Sequence, residues 1–146
     1  MELSKIISEI DKRKSLAKHY YENFEKHLID ERIAKASEFL WGTVNSLIYA
    51  IGLTYNKKIS EHAKMIEFSR ELSEEEQDDN IFKGFKEAEI LHANFYNNFL
   101  DKDGLKLKRE EIDRLISKFE KILEKRINLL KTSFVESTPD EDVLVN

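Results

Sequence analysis

The sequence predicts an all-α protein, an up-down antiparallel bundle of four to five helices. Three observations carry that expectation. Breakers are scarce: one proline (Pro139) and four glycines in 146 residues. Apolar residues recur every three or four positions in several long segments, and no stretch alternates convincingly as a strand would. The run FLWGTVNSLIYAIGLTY (39–55) carries no charge, although 36% of the chain is charged. A helix apolar on all sides belongs at the centre of a bundle. The length suits a single domain with a real core.

The elements follow in order. Leu3, Ile6, Ile7, Ile10, Ala17, Tyr20, Tyr21, Phe24 and Leu28 form one stripe, which predicts a first helix from about Ser4 to His27. A second starts near Asp30, read as its N-cap, and runs through the uncharged segment to about Leu53, with TYNKK as the break. Ser60 is the expected cap of a shorter third helix, EHAKMIEFSREL, with Ala63, Ile66 and Phe68 facing the core. SEEEQDDN reads as a hydrophilic corner, and Asp79 or Asn80 can cap the fourth helix. That helix places Ile81, Phe85, Ala88, Phe95 and Phe99 on one stripe and stops around DKDG, where Gly104 suits the turn. The fifth runs from about Lys108 to Lys131 with the clearest amphipathic pattern, from Ile112 to Leu130. Residues 1–131 are thus one domain, and 132–146 a short acidic tail.

Composition excludes several classes of function. Without cysteine there is no disulfide framework, thiol chemistry or Cys-type zinc site. A formal charge of −5 argues against a protein wrapped in nucleic acid, while leaving basic patches such as Lys12-Arg13-Lys14, Lys57-Lys58 and Lys106-Leu107-Lys108-Arg109. Mixed runs of this kind ordinarily face water. The opening MELSKIISEIDKRK has no apolar h-region, so no signal peptide is expected and the chain reads as cytoplasmic. The uncharged run is shorter than the roughly 20 residues a spanning helix needs, so no membrane association is expected. No P-loop, dinucleotide fingerprint or nucleophile elbow is present, so no conventional cofactor is expected.

The candidate chemistry centres on LHANFY (91–96) in the fourth helix. His92 fits the apolar stripe, seven residues after Phe85 and three before Phe95. Tyr96, four residues on, stacks on nearly the same face, whereas Asn94 points well away from both. One reading is a histidine hydrogen-bonded to a neighbouring helix, since buried polar groups find partners. The other is a neutral imidazole lining a cleft as acid, base or ligand, helped by the Tyr96 hydroxyl. On the second helix Glu38, Trp41 and Asn45 share a side. A carboxylate there must be paired or sit at a wet edge, and a groove near His92 is one such place.

Glu89-Ile90-Leu91-His92 also spells the E-x-x-H of di-iron bundles, which need two such motifs. The residues three before the other histidines are Leu16, Phe24 and Ile59, so no metal centre is expected. A second candidate is Arg13-x5-His19, since metal-independent ribonucleases can use an arginine and a histidine. On one helix, six residues separate them by about 120° of rotation, so they do not converge on one phosphate.

ERIAKASEFLWGTVNSLIYAIGL and FKEAEILHANFYNNFL together resemble the PaREP family of archaeal proteins, within the broad HEPN superfamily of small helical bundles. The resemblance rests on A-S-E-F-L-W-G and L-H-A-N-F-Y and covers about residues 10–130. It implies an HEPN-like bundle that pairs into a homodimer. Many superfamily members are metal-independent endoribonucleases of toxin–antitoxin or defence systems. Others are partners of nucleotidyltransferases, or nucleotide and RNA binders. The active pattern is R-x4–6-H, and the stretch before His92, from Asn80 to Leu91, holds no arginine: Lys86 is the nearest cation at a comparable offset. A lysine supplies charge without the bidentate fork of a guanidinium.

The expectation is therefore a nucleotide- or RNA-binding or regulatory module, without full catalytic machinery. Its groove is lined by His92, Asn94 and Tyr96, with Glu38, Trp41 and Lys86 as neighbours. Two alternatives stand beside it. One is a divergent ribonuclease using His92 as acid and base, with Lys86 stabilising the phosphorane. The other is a purely structural interaction bundle.

Overall fold

The computed structural model describes residues 2–137. Within them the chain forms five helices and no strand: α1 Leu3–Ile29, α2 Ile33–Thr54, α3 His62–Glu76, α4 Asp79–Asn97 and α5 Lys102–Ser137. Residues 138–146, most of the expected tail, lie outside the described part.

α2 is the axis of the bundle and packs on α1, α4 and α5. Its uncharged run explains why: Leu40, Trp41, Val44, Leu47, Ile48, Ile51 and Leu53 are all buried, although they point to different sides. Each neighbour closes over one of those sides with its own stripe. α1 contributes Ile6, Ile10, Phe24 and Leu28, and α5 contributes Leu105, Ile112, Leu115, Phe119 and Leu123. Gly42 permits the close approach of α1, because a Cβ there would lie 2.8 Å from the Tyr20 ring. Among the described residues no helix is long and apolar enough to cross a membrane.

Contacts give the helix directions. Arg13 meets Tyr49 and His27 meets Phe39, so α1 and α2 are antiparallel. Gly84 approaches Leu115, and Glu87 pairs with Lys108, so α4 and α5 are antiparallel as well. The third helix adds a feature that helical periodicity does not reveal. Trp41 touches His62, while Tyr55 touches Phe68 and hydrogen-bonds Glu75, so α3 runs in the same direction as α2. The connection is an extended return, with Ile59 buried against Gly52. It carries the start of α3 back to the middle of α2.

Several boundaries differ from the sequence expectation, each for a local reason. Asp30 ends α1 rather than capping α2; the chain turns through Glu31 at φ 59° and α2 begins after Arg32. Ser60 does not cap α3, whose N-cap is Glu61, without a side-chain hydrogen bond. The acidic corner is mostly helical: α3 runs through Ser73 and the three glutamates after it, and Gln77 in the left-handed region ends it. Asp78, not Asp79 or Asn80, caps α4 by accepting from the Asn80 N–H. α4 stops at Asn98, another left-handed residue, and Gly104 lies inside the first turn of α5. α5 starts six residues before Lys108 because Asp101 accepts from the Gly104 N–H and holds the first turn.

Candidate functional site

On α4 the buried stripe is Ile81, Phe85, Ala88, Leu91 and Asn94. The expected members Phe95 and Phe99 are instead exposed, because Leu91 and Asn94 take the core positions. That rotation leaves His92 on the border of the stripe, half-buried, and puts Tyr96 at the surface with 71% exposure.

Three rings from two helices, α3 and α4, assemble around Trp41, whose indole is buried on α2. The His92 ring lies 5.6 Å from the indole and the His62 ring 5.9 Å, both tilted against it. Phe85 closes the inner side at 5.6 Å. Each imidazole has a carboxylate partner. Nδ1 of His92 lies 3.1 and 3.0 Å from the two Glu38 oxygens, and Nε2 of His62 lies 2.7 Å from Glu89 Oε2. An ionised carboxylate only accepts, so the facing ring nitrogen carries the proton in each pair. The second nitrogen of each ring makes no hydrogen bond among the described residues. The two side chains are 38% and 49% exposed, so both rings are partly open to solvent.

Lys86 places its ammonium 3.0 Å from the other oxygen of Glu89, one turn along α4. That oxygen is buried and the contact falls short of hydrogen-bond geometry, so Glu89 is paired electrostatically but not fully bonded. Tyr96 meets His92 edge-on at 5.3 Å and Phe95 follows at 5.1 Å. A continuous aromatic path thus runs from the buried indole to the surface. Among the described residues no group of three or more His, Asp or Glu side chains is placed to hold a metal ion.

Of the residues read from the sequence, His92, Tyr96, Glu38 and Trp41 come together, with Lys86 one step away through Glu89. Asn94 does not join them. It is fully buried; its amide donates to Ser37 Oγ at 2.8 Å and its carbonyl accepts from the Leu100 N–H at 2.7 Å. Its work is to tie α4 to α2 and to shape the α4–α5 turn: Asn94 is a buried cross-link, not the groove residue its polarity suggests. Arg13 stacks on Tyr49 at 3.9 Å while His19 pairs with Asn23, so those two do not converge. His62 escaped sequence reading. No periodic signal marks it, and only the extended return before α3 brings it to Trp41.

A second charged cluster joins α1 to α5. Tyr21 donates to Asp113 at 2.7 Å and accepts from Arg109 at 3.1 Å, and Arg109 also donates to Glu25 at 2.9 Å. Burial, with the Asp113 hydrogen bond, pushes the Tyr21 phenol up to about 12. Burial and the bond to Glu75 do the same for Tyr55, also to about 12.

These features define a five-helix bundle with a half-open histidine–carboxylate site beside an aromatic surface. The model of the Archaeal PaREP1/PaREP8 family matches residues 12–116, and the chain belongs to that family. The matched span contains every residue of the site. No curated protein and no solved structure matches the chain.

Proposed function

We propose that the protein is an HEPN-like module that binds RNA on the face formed by His92, Tyr96 and Phe95 above Trp41. The observation that carries this reading is the half-exposed His92. Its Nδ1 is held by Glu38, its ring is set between Trp41 and Tyr96, and its other nitrogen is unpaired among the described residues. Tyr96 and Phe95 offer surface on which unpaired bases stack, an interaction worth roughly 1–3 kcal/mol per base. Lys86 supplies a cation for the backbone, its side chain 50% exposed. With a net charge of −5, affinity rests on stacking and a few polar contacts, and salt weakens it only shallowly. The homodimer implied by the family resemblance is part of the same proposal and would set two such faces on one assembly. The test is equilibrium binding of a labelled single-stranded RNA. Wild type binds, and His92→Gln binds at least tenfold more weakly. Equal binding by the variant, or none by wild type across several sequences, overturns the reading.

A second reading has its own support, because the Glu38 pairing is also how a general base is oriented. With the proton fixed on Nδ1, Nε2 of His92 presents a lone pair that can take the proton of a ribose 2′-hydroxyl. That hydroxyl attacks the adjacent phosphorus, the 5′-oxygen leaves with the proton that the His92 imidazolium gives back, and a 2′,3′-cyclic phosphate and a 5′-hydroxyl result. Lys86 would stabilise the phosphorane. Cleavage that survives EDTA and vanishes in His92→Ala supports this reading; identical cleavage by that variant ends it.

A further inference from the structure

We propose that His62 and His92 form a two-imidazole clamp for a phosphate oxyanion over the Trp41 indole. The proposal rests on the RNA-binding reading and adds the group recognised and a residue from α3.

The two histidines share one arrangement, although they come from different helices. Each ring leans on the same indole, at 5.6 and 5.9 Å. Each spends one nitrogen on a glutamate and keeps the other unpaired among the described residues. The nitrogens spent are not the same: Nδ1 in His92 and Nε2 in His62. Each carboxylate therefore fixes its ring and leaves the other nitrogen for a ligand. A purely structural purpose accounts poorly for this, since half-exposed ion pairs add little to stability. The core beneath is already closed by Trp41 and Phe85.

Charge selects the ligand. Glu38 and Glu89 oppose Lys86 and the two imidazoles. When both rings carry a second proton, these five groups sum to one positive charge, and both unpaired nitrogens become donors. A tetrahedral oxyanion accepts from two such donors at once, and charge-assisted bonds of this type are the strong ones. A cation is less well served, because both carboxylates are already facing donors. The aromatic path to Tyr96 and Phe95 then leads from the phosphate to the base attached to it.

The experiment is an NMR titration of the full chain with inorganic phosphate, in EDTA, following the ring C–H signals of His62 and His92. Both signals should move with one shared dissociation constant, and His62→Gln and His92→Gln should each weaken phosphate binding at least tenfold. Movement of His92 alone, or wild-type affinity in His62→Gln, overturns the clamp. Two further arms identify the source of the oxyanion. A nucleoside monophosphate that binds tighter than inorganic phosphate supports the clamp as a nucleotide site. A dinucleoside phosphodiester that binds tighter still supports it as an RNA-backbone site. Single-stranded RNA separates the two claims. Undiminished RNA binding by His62→Gln but not by His92→Gln removes the clamp and leaves the binding face, whereas undiminished binding by both removes the face as well. Thermal melting of each variant near the wild-type temperature confirms that the fold is intact.

Discussion

Two of the charged clusters that bridge helices, one between α1 and α5 and one around Trp41, differ in how completely their bonds are used. Between α1 and α5, the Tyr21 hydroxyl both donates and accepts, and the Arg109 guanidinium reaches Glu25, Tyr21 and Asp113. Around Trp41, each imidazole is bonded on one side only. The first cluster clamps two helices that otherwise touch little. The second sits where α2 and α4 are already held by the core, and its open nitrogens serve no internal partner among the described residues. A saturated network therefore reads as stabilising, and a half-saturated one beside exposed aromatics reads as a binding surface.

The contrast is sharpest on α4 itself, where Asn94 and His92 are two residues apart. Asn94→Ala should have the largest effect on stability, about 1–3 kcal/mol, because it leaves the Leu100 N–H without an acceptor and removes the donor to Ser37 Oγ. Urea unfolding measures it, and RNA affinity of the folded fraction should stay at the wild-type value. A loss below the scatter of the assay would mean that water replaces the amide and that Asn94 is not a cross-link.

Arg109→Met comes next. The guanidinium side chain is 30% exposed, so after discounting for solvent the expected loss is about 1 kcal/mol. It should leave binding untouched, which sets the α1–α5 cluster apart from the Trp41 site. His92→Gln is the mirror case: its stability should change by no more than about 0.5 kcal/mol, as for a surface ion pair, while RNA binding falls at least tenfold. Should the two variants exchange these outcomes, the division between clamp and site would be wrong.

The last effect appears only at high pH. The folded Tyr21 and Tyr55 phenols, at about 12, stand above the ordinary value of about 10. Their raised values stabilise the fold fully below pH about 10, and that contribution disappears as pH rises through about 12. An ultraviolet titration of the folded protein should show Tyr21 and Tyr55 ionising late. Tyr21→Phe should remove one late component and flatten part of the alkaline loss of stability. Five phenols titrating together in the folded protein would show that the α1–α5 cluster is open to water.

Much of this architecture was legible in the sequence. The uncharged run from Phe39 to Tyr55 marks the buried axis, and the stripes of α1 and α5 mark its two largest neighbours. The pairing of Glu38 with His92 was within reach because each stands at the edge of an apolar pattern, where a polar group needs a partner. Helix ends were less legible. Glu31, Asn56, Gln77 and Asn98 all take positive φ, and none is the glycine that usually announces such a stop. The direction of α3 was hidden altogether. An extended return of a few residues looks like any loop in sequence, yet it decides that His62 meets Trp41 rather than lying at the far end of α2. Asn94 shows the opposite failing: its polarity suggested a site, but its position on the buried stripe made it part of the core.

The most direct test of the central claim uses Trp41, the single tryptophan, which lies beneath both imidazoles. Its fluorescence should change saturably as single-stranded RNA is added to the wild-type chain, and the change should be lost in His92→Gln at the same concentrations. RNA that binds by an independent assay while leaving Trp41 unaltered, or that alters it equally in the variant, would place the binding surface elsewhere and contradict the account.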